Sequence, residues 1–167
     1  MGKLSQTTLD GYHAEQRFKS KVESLGFKVT RPPGVYDRLE HWDLILMLKV
    51  DCKYMKKINR SDKEVQDEWH WLELSSQYGD NKGWIYGSKA DAIAFEKEKS
   101  WVIVTIQALK DLIERYVKDE WVKTAEEAKY KRYRRKNTTL EEITLVETKL
   151  LKEYGWEMSK WIFIKGG

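Results

Sequence analysis

The stretch Trp42-Asp43-Leu44-Ile45-Leu46-Met47-Leu48-Lys49-Val50-Asp51-Cys52-Lys53-Tyr54-Met55 decides how this chain folds. It is apolar and β-prone throughout, but it is much longer than a usual strand of about five or six residues. It therefore reads as two strands that turn near Leu48-Lys49. Side chains alternate along a strand, so Asp51 and Lys53 leave one face and Cys52 the other. A partner strand beginning at Asp43 brings a second carboxylate alongside Asp51. Cys52, facing away from the carboxylates, is expected in the core.

Working outward, residues 10–25 read as an amphipathic helix with Asp10 as its N-cap and Tyr12, Phe18, Val22 and Leu25 as its apolar stripe. Gly26 stands where a helix-ending glycine belongs, Phe27-Lys28-Val29-Thr30 alternates like a strand, and Arg31-Pro32-Pro33-Gly34 breaks it. Beyond Met55, residues 56–68 form a charged connection. Strands follow at 69–74, 92–95 and 101–104, with a loop over 78–83. A helix over 107–118 carries Leu109, Leu112, Ile113, Tyr116 and Val117 on its apolar side. After it come a basic helical run over 126–136, a strand over 143–146, a helix over 147–154 and an apolar stretch over 161–164. The expected architecture is α/β, a mixed sheet flanked by helices, with a core over 1–120 and a basic extension over 121–167 packed on the same domain.

Composition narrows the class. Eight Trp, nine Tyr and four Phe supply buriable rings, and two Pro are too few for a proline-rich linker, so disorder and collagen-like repeats are excluded. A single Cys excludes an intrachain disulfide framework, and with only three His a structural zinc site is not expected. No apolar run is long enough for a signal peptide or a membrane span, so a reducing, cytoplasmic setting without a membrane partner is expected. Net charge is only +4, the small difference between 31 basic and 27 acidic residues, so its distribution matters more than its sum.

Two carboxylates beside a lysine make a site for a hard divalent cation. Mg²⁺ prefers oxygen ligands and keeps several waters, so Asp43 and Asp51 suffice, with Mn²⁺ as a substitute. Such a cation polarises a phosphoryl oxygen and activates water, while Lys53 steadies developing negative charge. Glu15 on the first helix is a third candidate carboxylate. The plain alternatives are a solvated Asp51–Lys53 ion pair and a Glu15–Lys19 pair at i,i+4.

The ordered set Gly11-Tyr12-His13-Ala14-Glu15-Gln16-Arg17-Phe18, Leu25-Gly26-Phe27-Lys28-Val29-Thr30-Arg31, Trp42-Asp43 and Asp51-Cys52-Lys53 resembles the PD-(D/E)xK nuclease superfamily. It is similar to archaeal-type Holliday junction resolvases, with an Asp43-to-Asp51 spacing that resembles the mismatch-repair and restriction-endonuclease branches, and the chain also looks like small phage-encoded nuclease-like proteins. Trp42 replaces the motif's proline, Asp51 stands where resolvases often have Glu, and the step from Asp43 to Asp51 is short for resolvases. The resemblance covers residues 11–55. It implies a restriction-endonuclease-like fold, with Glu15, Asp43 and Asp51 as metal-associated carboxylates and the Cys52 carbonyl as a further ligand. It also implies that Lys53 is the catalytic lysine, and that a homodimer cuts branched DNA in the cytoplasm, the host's if the chain is phage-encoded. Glu73, on the strand after Asp51-x-Lys53, is a supporting candidate, as is Gln66.

Lys129, Lys131, Arg132, Arg134 and Arg135 crowd one run, with Tyr130 and Tyr133 interleaved. Together with Arg31, Lys56, Lys57 and Arg60 they are candidates for phosphate contacts through Coulomb attraction and counterion release. The alternative for the run is a helix balanced by Glu126, Glu127, Glu141 and Glu142. Trp69, Trp71, Trp84 and Tyr86 read first as core packing and second as a base-stacking platform. Two other functions compete with the nuclease reading: a DNA-binding protein of nuclease-like fold without catalysis, and a protein-interaction factor using its tryptophans and basic tail.

Overall fold

The computed structural model describes residues 6–24, 26–31, 44–76, 82–135 and 140–159. Contacts divide the chain into two units, residues 1–49 and 50–167. Asp43, His41 and the 161–164 stretch lie outside the described residues.

In the first unit, helix α1 (Gln6–Ser24) is followed by strands β1 (Lys28–Thr30) and β2 (Ile45–Met47), which pair antiparallel with Val29 opposite Leu46. The helix begins at Gln6, so Asp10 lies within it and is not its cap. Its end is as read. Gly26 takes φ 91°, a left-handed conformation open to glycine, and its N–H donates to the Glu23 carbonyl at 3.0 Å. Val22 is buried, whereas Tyr12 and Phe18 are exposed, so only part of the stripe faces inward.

The described residues of the second unit form two four-stranded sheets. One runs β10 (Trp156–Ser159), β6 (Ser100–Thr105), β5 (Ala92–Glu96), β3 (Val50–Lys53); the other runs β4 (Trp69–Ser75), β9 (Glu142–Glu147), β8 (Arg132–Tyr133), β7 (Trp121–Val122). The two strands read within 42–55 both form, but β2 pairs with β1 while β3 runs parallel to β5, so they belong to different sheets. Strand β9, from the C-terminal third, pairs along the length of β4 and is integral to the second sheet.

The described residues of this unit also form helices α2 (Trp84–Gly87), α3 (Ile106–Tyr116) and α4 (Thr148–Tyr154). Thr105 caps α3, its hydroxyl accepting from the Ala108 N–H at 3.2 Å. Leu109, Leu112 and Ile113, at helical spacing, bury one side of α3 against Ile93 and Phe95 of β5, Val102 and Val104 of β6, and Leu72 and Leu74 of β4. Two glycines permit close chain crossings. A β-carbon on Gly83 would lie 2.2 Å from the Glu73 carbonyl oxygen, and one on Gly155 would lie 2.1 Å from that of Ile103. Among the described residues no helix is long and apolar enough to cross a membrane.

The basic run is not helical. A single 3₁₀ turn over Glu126–Ala128 ends, Tyr130 adopts φ 57°, and Arg132–Tyr133 continue as a strand. Backbone bonds to both sides hold it extended: Tyr130 N–H donates to the Leu145 carbonyl, Lys118 N–H to that of Tyr130, and Arg132 N–H to that of Glu120.

Candidate functional site

The parallel ladder sets Asp51 opposite Ile93 and Lys53 opposite Phe95. Ile93 and Phe95 point into the core, so Asp51 and Lys53 continue the core-facing side of their sheet at its edge strand. This reverses the expectation for Cys52, which is exposed as a free thiol, while its neighbours are half-buried. The Lys53 ammonium lies 2.7 Å from an Asp51 carboxylate oxygen, with side-chain exposures of 23% and 36%. It also sits 4.8 Å from the centre of the Trp84 ring, a cation–π contact. Trp84 is held there because the Gly83 N–H donates to the Leu74 carbonyl and the indole packs on Phe95. The pair is therefore anchored on one side and open on the other.

Lys56 links this pair to a wider charged group. Burial first, then the charges of Arg135 and Lys53, press its amine below the ordinary 10.5, and Glu73 and Glu141 oppose that shift. The ammonium lies 5.1 Å from the centre of the Tyr54 ring. Glu73 thus joins the site as a counter-charge to a lysine. Gln66 has a different use: its amide donates to the Lys56 and Trp69 carbonyls and accepts from the Trp69 N–H, so it fastens the connection to β4.

A cleft of about 760 Å³ opens beside Lys56, lined by Lys57, Arg60, Trp71, Tyr133 and Arg135 among others. Sequence reasoning named these cations, Trp71 and Tyr133 separately but not their meeting in one cleft, and the expected balance by Glu141 takes the form of a pair with Arg135 at 3.2 Å. The remaining cations of the basic run are largely engaged. Lys131 meets Glu120 at 2.6 Å, Arg132 meets Asp119 at 2.9 Å and also Glu142, and Lys129 and Arg134 stack over Trp69 and Trp121. Of the acids expected to balance it, Glu141 and Glu142 do, whereas Glu126 bonds the Asn59 amide and Glu127 accepts from the Thr124 N–H.

In the first unit Glu15 pairs with Arg31 at 2.5 Å, in place of the Lys19 pairing considered above, and Lys19 instead reaches Glu23 at 3.8 Å. Arg31 also stacks over Tyr12. The structure thus brings together Asp51 with Lys53, and Glu15 with Arg31.

Among the described residues, no group of three or more His, Cys, Asp or Glu is placed to hold a metal ion. The donor at β3 is a carboxylate, a hard oxygen ligand of the kind Mg²⁺ takes while keeping several waters, unlike the all-protein ligand set of a structural zinc. Comparison with protein-family models, with curated proteins and with solved structures finds no match to this chain.

Proposed function

We propose that this chain is a Mg²⁺-dependent endonuclease of restriction-endonuclease-like fold that hydrolyses phosphodiester bonds in branched DNA. The observation that supports it most is the half-buried Asp51–Lys53 pair on an edge strand, next to the cationic group of Lys56 and Arg135. Phosphodiester cleavage needs both parts: groups that stabilise charge at the reacting phosphate, and cations that hold the flanking backbone. Asp51 would supply a carboxylate to the cation; Asp43, Glu15 and the Cys52 carbonyl are the further ligands that the resemblance implies. When bound, Mg²⁺ supplies charge neutralisation and a polarised phosphoryl oxygen. Lys53, oriented by Asp51 and Trp84, donates to the phosphoryl oxygen on which negative charge grows. Lys56, Lys57, Arg60 and Arg135 position the backbone. A two-fold homodimer would set one such site on each of two strands, and the cytoplasm is the compartment that goes with this reading.

The 2.7 Å Asp51–Lys53 contact also favours a second reading, a nuclease-like fold that holds DNA without cutting it, since the pair neutralises itself. The test is cleavage of plasmid, linear duplex and synthetic four-way junctions across a Mg²⁺ and Mn²⁺ titration. The endonuclease reading expects metal-dependent cutting that Lys53→Ala abolishes while DNA affinity remains. No cutting with either metal, and DNA affinity untouched by Asp51→Ala, leaves the binding protein.

A further inference from the structure

The cleft beside Lys56 combines two features, of which a binding surface for duplex backbone needs only the first. Its walls carry the cations Lys56, Lys57, Arg60 and Arg135, and also two half-buried aromatic rings, Trp71 and Tyr133. The ring centres are 6.0 Å apart and tilted by 34°, so they form one broken platform. We infer that this cleft seats one unpaired nucleotide of a single strand, its base against Trp71 and Tyr133 and its phosphates on Lys56, Lys57 and Arg60. The inference rests on the nucleic-acid reading above and narrows its substrate to DNA with an exposed single-stranded segment.

Size and rigidity agree with that occupant. About 760 Å³ lies within the range of roughly 300–1,000 Å³ typical of small-ligand sites, so a nucleotide fits. Cations alone would suit any phosphate, and rings alone any apolar group; side by side they match a nucleotide, whose flat base and charged phosphate are joined by one sugar. In a duplex the base faces are already stacked on their neighbours, so only an unpaired base can lie on the platform.

The walls are set before binding. The Trp71 indole N–H donates to the Lys57 carbonyl at 3.2 Å, which fixes the plane of the ring. The Asn59 amide donates to Glu126 at 2.5 Å, and the Asn59 backbone N–H donates to the Asp62 carboxylate at 2.8 Å, which hold the connecting segment in place. Less ordering is then lost on binding. Lys56 also carries the repulsion of Lys53 and Arg135, which a bound phosphate would relieve.

The test measures affinity of the full chain, without added metal, for a short labelled oligothymidine, the same oligomer with abasic sugars in place of thymidines, and a duplex of equal length. Oligothymidine is expected to bind about tenfold tighter than the abasic strand, since base stacking on an aromatic side chain is worth about 1–3 kcal/mol. It should also bind tighter than the duplex, and Tyr133→Leu should reduce the oligothymidine advantage. Equal affinity for oligothymidine and the abasic strand overturns the inference, and needs no variant that must fold. Duplex binding with metal-dependent cutting, but no preference for unpaired bases, would end this inference and leave the nuclease reading standing. Binding of a phosphopeptide in place of every nucleic acid would end both.

Discussion

Lowering the pH from 7 to 4 should cost this protein about 3 kcal/mol of stability through one side chain, His70. Strand β4 alternates half-buried and buried residues, and His70 falls on the buried side with Leu72 and Leu74. Its ring lies 5.0 Å from that of Phe95, only 4% of the residue is exposed, and Nε2 has no hydrogen-bond partner. A charged imidazolium there would lose its hydration without gaining a partner, so burial lowers the pKa from 6.5 to about 4; Asp67 partly opposes that shift and Lys97 adds to it. Between those values the unfolded chain binds a proton that the folded chain refuses. Stability is therefore complete above about pH 6.5 and falls as pH drops toward 4, below which this group adds no further loss. At about 1.4 kcal/mol per unit, the difference reaches about 3 kcal/mol by pH 4, a sizeable share of the 5–15 kcal/mol of a typical domain. Urea unfolding at half-unit pH steps, for the native chain and His70→Leu, measures it. The native chain should lose stability over that window, and the variant should lose about 3 kcal/mol less. The same slope in both chains, or an NMR titration that puts His70 near 6.5, would refute the reasoning.

Further outcomes follow from other sites. Glu157 is held down to about 2 by Lys152, then Ser100 and Lys97, so its stabilising share is present above about pH 4.5 and lost toward 2; Glu157→Gln should flatten that lower window and leave the His70 window alone in the same urea series. Gly155→Ala should destabilise by about 1–3 kcal/mol, because its β-carbon meets the Ile103 carbonyl oxygen at 2.1 Å and the crossing must open; thermal unfolding reads the loss. Lys57→Ala with Arg60→Ala should lower affinity for every nucleic acid and reduce the slope of log affinity against log salt by about one to two, read from binding across a salt series. An unchanged slope would remove these two residues from the phosphate contacts.

Much of the secondary structure was legible because local signals agreed. The helical spacing of Leu109, Leu112 and Ile113 and the left-handed Gly26 depend on residues close in sequence. Pairing was not legible in the same way. Val50–Lys53 reads as one arm of a hairpin when only its neighbours are considered, yet its partner is β5, more than thirty residues on, and the partner decides which face is buried. That is why Cys52 and the Asp51–Lys53 pair exchanged their expected environments: alternation fixes which side chains share a face, and only the ladder fixes which face meets the core.

The same distinction moves the weight of the nucleic-acid reading from one segment to another. In the sequence, the run from Lys129 to Arg135 is the densest patch of positive charge. In the fold it is an extended segment between β9 and the residues after α3, so acids on both sides reach it: Asp119 and Glu120 from one, Glu141 and Glu142 from the other. Charge that is neutralised at contact distance projects little field to a distant phosphate. Lys56 is in the opposite position. The sequence offers it only as one of several candidate phosphate contacts, but in the fold burial first, and then the charges of Arg135 and Lys53, depress its amine, with Glu73 and Glu141 opposing that shift. A lysine whose charged form is disfavoured both by burial and by neighbouring cations is where an anionic partner gains most. On the nucleic-acid reading proposed above, the phosphate contacts therefore centre on Lys56, Lys57 and Arg60, with Tyr133 and Arg135 of the basic run at the edge of the same cleft.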